Sequence, residues 1–222
     1  MALSGCLAAQ AVPVTLVHLT GLVGDPGAAG TAVYKADLSS LAGLFSAISI
    51  SDQSGGFGGA TGQFSGFDLD AIKLSTTNCA TAACAASAVG INVFDFLSGV
   101  VFAPGSQRTP VDAKLFGTSP SGTTVNNAVA TLGSFDGFSS TLTPNGFVSL
   151  GDFGSIGFNL SSALSGAGLF LYIGEVGDNG EVAGSSIQVL SAPIPEPGTY
   201  ALTLAGLGVL GWVVRRRQAR RN

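Results

Sequence analysis

Charge is what this sequence has least of. Charged residues make up 10% of its 222 residues, against about 25% in an ordinary soluble domain. Histidine, tryptophan and methionine each occur once. With His18 as the single imidazole, a catalytic triad or a His-based metal site has almost nothing to be built from. His18 therefore reads as a structural residue inside a strand pattern. The run Gly55-Gly56-Phe57-Gly58-Gly59 lacks the Lys and Ser/Thr of a phosphate-binding loop and reads as a flexible loop. The absence of a three-residue glycine period excludes a collagen-like rod. The absence of any fixed-length repeat argues against a propeller or solenoid. Long helices are disfavoured too. The chain has 33 glycines spread along its length, and each one inside a helix costs about 1 kcal/mol relative to alanine.

What is present is hydrophobicity, at 46%, broken into short runs between turn signals. Val12 to Leu19, Thr31 to Ala36 and Ala47 to Ser51 read as strands. Phe67 to Leu74 opens with period-two alternation, setting Phe67, Leu69 and Ala71 opposite Asp68 and Asp70. Ile91 to Phe102 reads as a strand too continuously apolar to be half exposed. Val125 to Leu132, Gly146 to Leu150, Ser155 to Leu160, Ala167 to Val176 and Ser186 to Leu190 continue the series. Pro144-Asn145-Gly146 and Asp178-Asn179-Gly180 supply turns. These strands, with no long amphipathic helix, predict an all-β fold over residues 12–191. The expected form is an antiparallel, jelly-roll-like β-sandwich with the 14 phenylalanines as core material.

The charges are unevenly placed. Five of the nine basic residues are Arg215, Arg216, Arg217, Arg220 and Arg221. The body ahead of them holds Lys35, Lys73, Arg108 and Lys114 against 12 acidic residues, a net charge of −8. Such a body has no basic face, so no nucleic-acid partner is expected. Cys79 and Cys84 enclose a small, polar loop, which in an oxidising compartment predicts a disulfide. Free thiols and zinc are the rival readings, and no second Cys or His pair is available to complete a zinc site.

The carboxylates leave two openings. Asp178, Asn179 and Glu181 offer hard oxygen ligands for calcium on a tight turn, without EF-hand spacing. Asp68 with Asp70, expected on one strand face, and the group Glu175, Asp178 and Glu181 supply carboxylate pairs of the kind glycosidases use. The simpler reading is a set of solvated acidic loops on an acidic surface protein. A non-enzymatic protein with no catalytic residue and no cofactor other than this candidate calcium is expected. Asn159-Leu160-Ser161 is formally a glycosylation sequon.

The two ends read as export signals. Residues 1–11 are small and apolar, and Ala9-Gln10-Ala11 fits a signal-peptidase site with a start upstream of Met1. A lipidated Cys6 in Leu3-Ser4-Gly5-Cys6 is the second reading. Near the other end, residues 192–198 form a linker that two prolines keep out of helix, Pro195-Glu196-Pro197. Residues 198–214 contain no charge over 17 positions. As a helix they cover about 25 Å, slightly short of a hydrocarbon core of about 30 Å. They read as a single, marginal transmembrane helix, with Trp212 at the interface and residues 215–222 as a cytoplasmic arginine-rich tail. That orientation places the body outside the inner membrane.

Pro195, Glu196, Pro197, the apolar span and Arg215, Arg216 and Arg217, in that order, resemble the PEP-CTERM sorting domain of exopolysaccharide-producing bacteria. The resemblance covers the carboxy-terminal segment alone. It implies that a membrane-embedded exosortase takes the chain as a substrate. The precursor would be held in the inner membrane of a Gram-negative bacterium. The product would pass to the cell surface or extracellular matrix, where extracellular polysaccharide and biofilm are its expected associates. A secreted carbohydrate-active enzyme or carbohydrate-binding module on a β-sandwich is the alternative.

Overall fold

The computed structural model describes residues 10–24, 30–137, 144–179, 181 and 187–195, with the single positions 207, 208, 212 and 216. Its strands are β1 (Ala11–Pro13), β2 (Val17–Val23), β3 (Thr31–Asp37), β4 (Leu44–Ser51), β5 (Asp68–Ser75), β6 (Val100–Ala103), β7 (Val148–Ser149), β8 (Ser155–Ser165), β9 (Phe170–Val176) and β10 (Ile187–Leu190). Two short helices accompany them, α1 (Ala82–Ser87) and α2 (Asn127–Ala130). The strands form two five-stranded sheets, ordered β1-β10-β4-β8-β6 and β2-β3-β9-β5-β7. Every strand pairing within them is antiparallel. β2 and β3 are neighbours in one sheet, and every other pair of consecutive strands lies in opposite sheets.

The sheets share one core. Ile48, Ile50, Ile156 and Phe158 from the first meet Leu69, Ile72, Leu171 and Ile173 from the second. A second apolar cluster lies on the far face of the second sheet, where Val33, Ala71, Phe170 and Tyr172 pack with Cys79, Ala82 and Ala85. β9 is consequently buried at every position. A strand covered on both faces loses the polar alternation of a half-exposed one.

That far-face cluster is built around an alanine-rich helix with almost no chemistry of its own. The Thr81 hydroxyl caps α1 by accepting from the Cys84 amide at 3.2 Å. Lys73 closes the other end, its Nζ donating to the carbonyls of Ala85, Ala86 and Ala88 at 3.0, 2.7 and 3.1 Å. Lys35 donates to Asn78 Oδ1 and to the Cys79 carbonyl, both at 2.8 Å. The Tyr172 hydroxyl accepts from the Cys79 amide at 2.9 Å and donates to the Thr77 carbonyl at 2.5 Å. Cys79 and Cys84 are disulfide-bonded across the start of the helix. So short a loop constrains the unfolded chain by about 2 kcal/mol. A reductant, or Cys79→Ser with Cys84→Ser, is expected to lower the unfolding free energy by that amount. Urea titration of the two states measures it.

Several strand expectations are corrected. Val12 to Leu19 is two strands in different sheets: Val14 still follows β10, its amide donating to the Ile187 carbonyl at 3.1 Å, and the chain crosses to the second sheet before β2 begins at Val17. Within Ile91 to Phe102 only Val100 onward joins a strand. The Asp95 carboxylate accepts from the Leu97 and Ser98 amides at 2.9 and 3.0 Å, which folds a turn there and leaves Leu97 87% exposed. Val125 to Leu132 contains α2, because the Asn126 side chain accepts from the Ala128 amide and caps a helical turn.

Among the described residues no helix is long and apolar enough to cross a membrane. The expected span 198–214 lies outside the described residues except at Leu207, Gly208 and Trp212. Those three positions and Arg216 are helical. The Arg216 guanidinium sits 5.1 Å from the centre of the Trp212 ring, a cation–π pair one helical turn apart. Residues 1–9, including Cys6, also lie outside the described residues.

Candidate functional site: a closed acidic cluster and a tethered sorting segment

Most carboxylates singled out in the sequence are not solvated, which corrects the simpler reading of them. Asp68, Asp70, Glu175 and Glu181 are all buried. Asp178 alone stays at the surface, 3.3 Å from His18 Nε2. The His18 ring stacks obliquely on Tyr34, centroid to centroid 5.0 Å. Burial, followed by the Glu175 and Asp178 charges, pushes the Tyr34 hydroxyl up to about 12. The three calcium candidates are therefore divided: Asp178 turns outward to His18, whereas Glu181 turns inward. Asn179 is exposed, yet its side-chain amide reaches back to both buried acids, 3.0 Å from Glu175 Oε1 and 3.3 Å from Glu181 Oε2, and it bridges the two carboxyls when its nitrogen faces them. Among the described residues no three His, Cys, Asp or Glu side chains are grouped so as to hold a metal ion.

Arg108 organises the inward group. Its Nε donates to both Asp152 oxygens at 2.9 and 3.1 Å. Its Nη2 lies 2.7 Å from Asp152 Oδ1 and 3.4 Å from Glu181 Oε1. Its Nη1 donates to the carbonyls of Gly58 and Ala60. The glycine-rich loop thus folds over the cluster as a cover. Gly59 is required there: it has a φ of +57°, and a Cβ would stand 1.8 Å from Glu181 Oε1. Asp52 ties the loop base, accepting from the Phe67 and Phe153 amides at 3.1 and 2.9 Å. Arg108, Asp52 and Asp152 were not legible as site residues. The one available signal is that Arg108 belongs to only four body cations.

Burial raises these acids. Glu175 and Glu181 are each pushed up to about 8, chiefly by loss of water, with Glu181 adding to Glu175 by repulsion. Asp68 rises well above the carboxylate range for the same reason, and Ser149 donates to it. Asp70 stands apart with other partners. It accepts from the Asp136 amide at 3.3 Å, and burial, helped by the Asp136 charge, takes it to about 7. A raised carboxyl binds a proton in the folded state that the unfolded state has released. Its contribution is therefore full at low pH and lost as pH rises through the folded value. For Asp70 that window runs from its ordinary 3.8 to about 7. The melting temperature is expected to fall between pH 5 and pH 8, and Asp70→Asn is expected to flatten part of that slope. Thermal melts across the range check both.

The other notable place is the outer face of the first sheet, where the chain leaves the body. Ile194 is held by Asn159 of β8 through two hydrogen bonds. The Ile194 amide donates to Asn159 Oδ1 at 2.6 Å, and Asn159 Nδ2 donates to the Ile194 carbonyl at 3.0 Å. Asn159, the sequon residue, is thus fully engaged with the linker. Pro195 is described and exposed; Glu196, Pro197, Arg215 and Arg217 lie outside the described residues.

The PEP-CTERM protein-sorting motif matches residues 193–218. The chain carries a PEP-CTERM sorting signal. It marks an exported protein that an exosortase sorts to the cell surface, and it begins one residue before Ile194. No curated protein and no solved structure matches the chain. The PEP-CTERM signal therefore speaks for the route of the protein, and the body in front of it stands on its own geometry.

Proposed function

We propose that the chain is a non-enzymatic envelope or matrix protein, associated with biofilm or exopolysaccharide. In this reading its jelly-roll-like sandwich is held in the inner membrane by residues 198–214 until an exosortase acts on the sorting segment. The observation that carries the reading is the sorting motif over residues 193–218. The burial of Asp68, Asp70, Glu175 and Glu181 supports the non-enzymatic part, because a glycosidase needs two carboxyls open to a sugar. Pulse-labelling of the tagged chain in producing cells, with and without the exosortase, tests the route. The expected result is a precursor that converts to a shorter product only when the enzyme is present. Replacing Pro195, Glu196 and Pro197 together by alanine should leave the precursor unconverted. Conversion in cells lacking the enzyme would sink the reading.

A carbohydrate-binding body is the second reading. Phe57 and Phe153 are 80% and 73% exposed, and both lie on the loops that Asp52 ties together. Exposed aromatic rings are common platforms for ligands with apolar faces. Retention of the chain on immobilised polysaccharide, lost in Phe57→Ala and Phe153→Ala variants, would support it.

A further inference from the structure

The sorting segment is poor in backbone hydrogen-bond donors. Pro193, Pro195 and Pro197 have no N–H, so Ile194 and Glu196 are the only two donors from residue 193 to 197. A protein that reads an extended peptide reads it mainly through such groups. In the folded body the Ile194 N–H and carbonyl are both taken, and by one side chain, Asn159.

The Ile194 side chain is taken as well. Phe158 points into the core, so its neighbours Gly157 and Asn159 point to the outer face of the sheet. Gly157 provides a seat. A Cβ built there would lie 2.3 Å from Ile194 Cδ1, and its other close neighbours are Ile194 Cγ1 at 3.6 Å and the Val101 carbonyl oxygen at 3.7 Å. The place of the missing side chain is thus occupied by Ile194. Upstream, the segment is tied again, with the Ser191 amide donating to the Gln10 carbonyl at 3.0 Å and the Gln10 amide to Ser191 Oγ at 2.9 Å. From Ile194 to the start of the apolar span at Gly198 the chain reaches at most about 14 Å.

We propose that Asn159 and Gly157 form a clasp on the sorting segment that must open before the exosortase can engage Ile194. Asn159 is a positioning residue in this scheme: it acts on the substrate segment and takes no part in the bond that is changed. The inference rests on the sorting reading above. Its physical content is a competition. The folded body and the enzyme want the same N–H and carbonyl, so the processing rate follows the fraction of chains with the clasp open. Losing two net hydrogen bonds raises that fraction by roughly 5–30-fold.

The test uses the full chain with Asn159→Ala and, separately, Gly157→Ala, which inserts a methyl group into the Ile194 seat. Asn159→Asp keeps the acceptor for the Ile194 amide but repels the Ile194 carbonyl, and it should fall between wild type and Asn159→Ala. Two readouts are taken. Amide exchange of the 191–195 peptide, on the purified chain in detergent, reports the clasp directly. Pulse-labelling in producing cells reports processing. The expected result is loss of protection at Ile194 in both alanine variants with the body still folded by thermal melt. Processing should then be about tenfold faster, with the aspartate variant intermediate. Protection unchanged in both alanine variants would overturn the clasp. Protection lost while processing stays equal or slows would overturn the gating role. If the wild-type chain is never processed, the sorting reading fails and the gate with it, whereas a processed wild type with unresponsive variants removes the gate alone.

Discussion

Arg108→Met is expected to destabilise the body by about 3–5 kcal/mol at neutral pH, because removing one partner of a buried ion pair strands the charges that remain. Arg108 is the only cation in contact with Asp152 and Glu181 among the described residues, and its side chain is 14% exposed. Methionine keeps much of the aliphatic stem and removes the five donors. The Gly58 and Ala60 carbonyls lose their donor too, so the glycine-rich loop should open with the cluster. The cost should grow as pH rises through about 8, the value to which Glu181 is pushed with Arg108 beside it, because below that value Glu181 holds a proton and leaves no bare charge. Urea unfolding of wild type and variant at pH 6 and pH 9 measures both the loss and its pH dependence. A loss of similar size at both pH values would show that the Glu181 contact contributes little and that Asp152 and the loop carbonyls carry the effect.

Phe158→Ala is expected to cost about 3–5 kcal/mol at any pH, the range for emptying an aromatic site in a close-packed core. Phe158 is 1% exposed and receives Phe94 and Phe96 edge-on, at 5.8 and 6.1 Å between ring centres. It also sits between the two sheets, so its loss removes one of the contacts that hold them together. For a body of this length that corresponds to a fall in melting temperature of about 10 °C. The contrast with Arg108→Met is diagnostic: the phenylalanine loss should not depend on pH. Phe158→Leu should recover most of the stability, since volume-preserving apolar changes cost less than about 1.5 kcal/mol.

Much of the architecture was legible along the chain. β9 and β10 fall inside the apolar runs read for them, and β3 and β5 overrun theirs by one residue, because β-branched and aromatic residues bounded by glycine leave few alternatives. The failures have identifiable causes. At Asp95 and Asn126 a short polar side chain captured nearby backbone amides and outweighed an apolar context. Around Val14 the run carries only Pro13 and Thr15 as interruptions, and an apolar strand pattern on both sides of them hid the point where the chain changes sheets. The disulfide was legible from spacing and polarity, as was the sorting signal, whose three parts stand in a fixed linear order.

The acidic residues were the least legible. A carboxylate on an acidic chain looks solvated until the fold shows which ones face inward, and burial is a property of packing. Arg108 reaches its partners from more than 40 residues away in sequence, as the 44-residue separation from Asp152 shows. The same holds for Asn159 and Ile194, 35 residues apart. By itself the sequence determined the route of this protein and its β-rich class, because a linear motif and a local strand pattern are both written in neighbouring residues. Only the tertiary structure decided which acids are hidden, which cation holds them, and that the body grips the start of its own sorting segment. Each of those is a pairing between groups that only folding brings within hydrogen-bond distance.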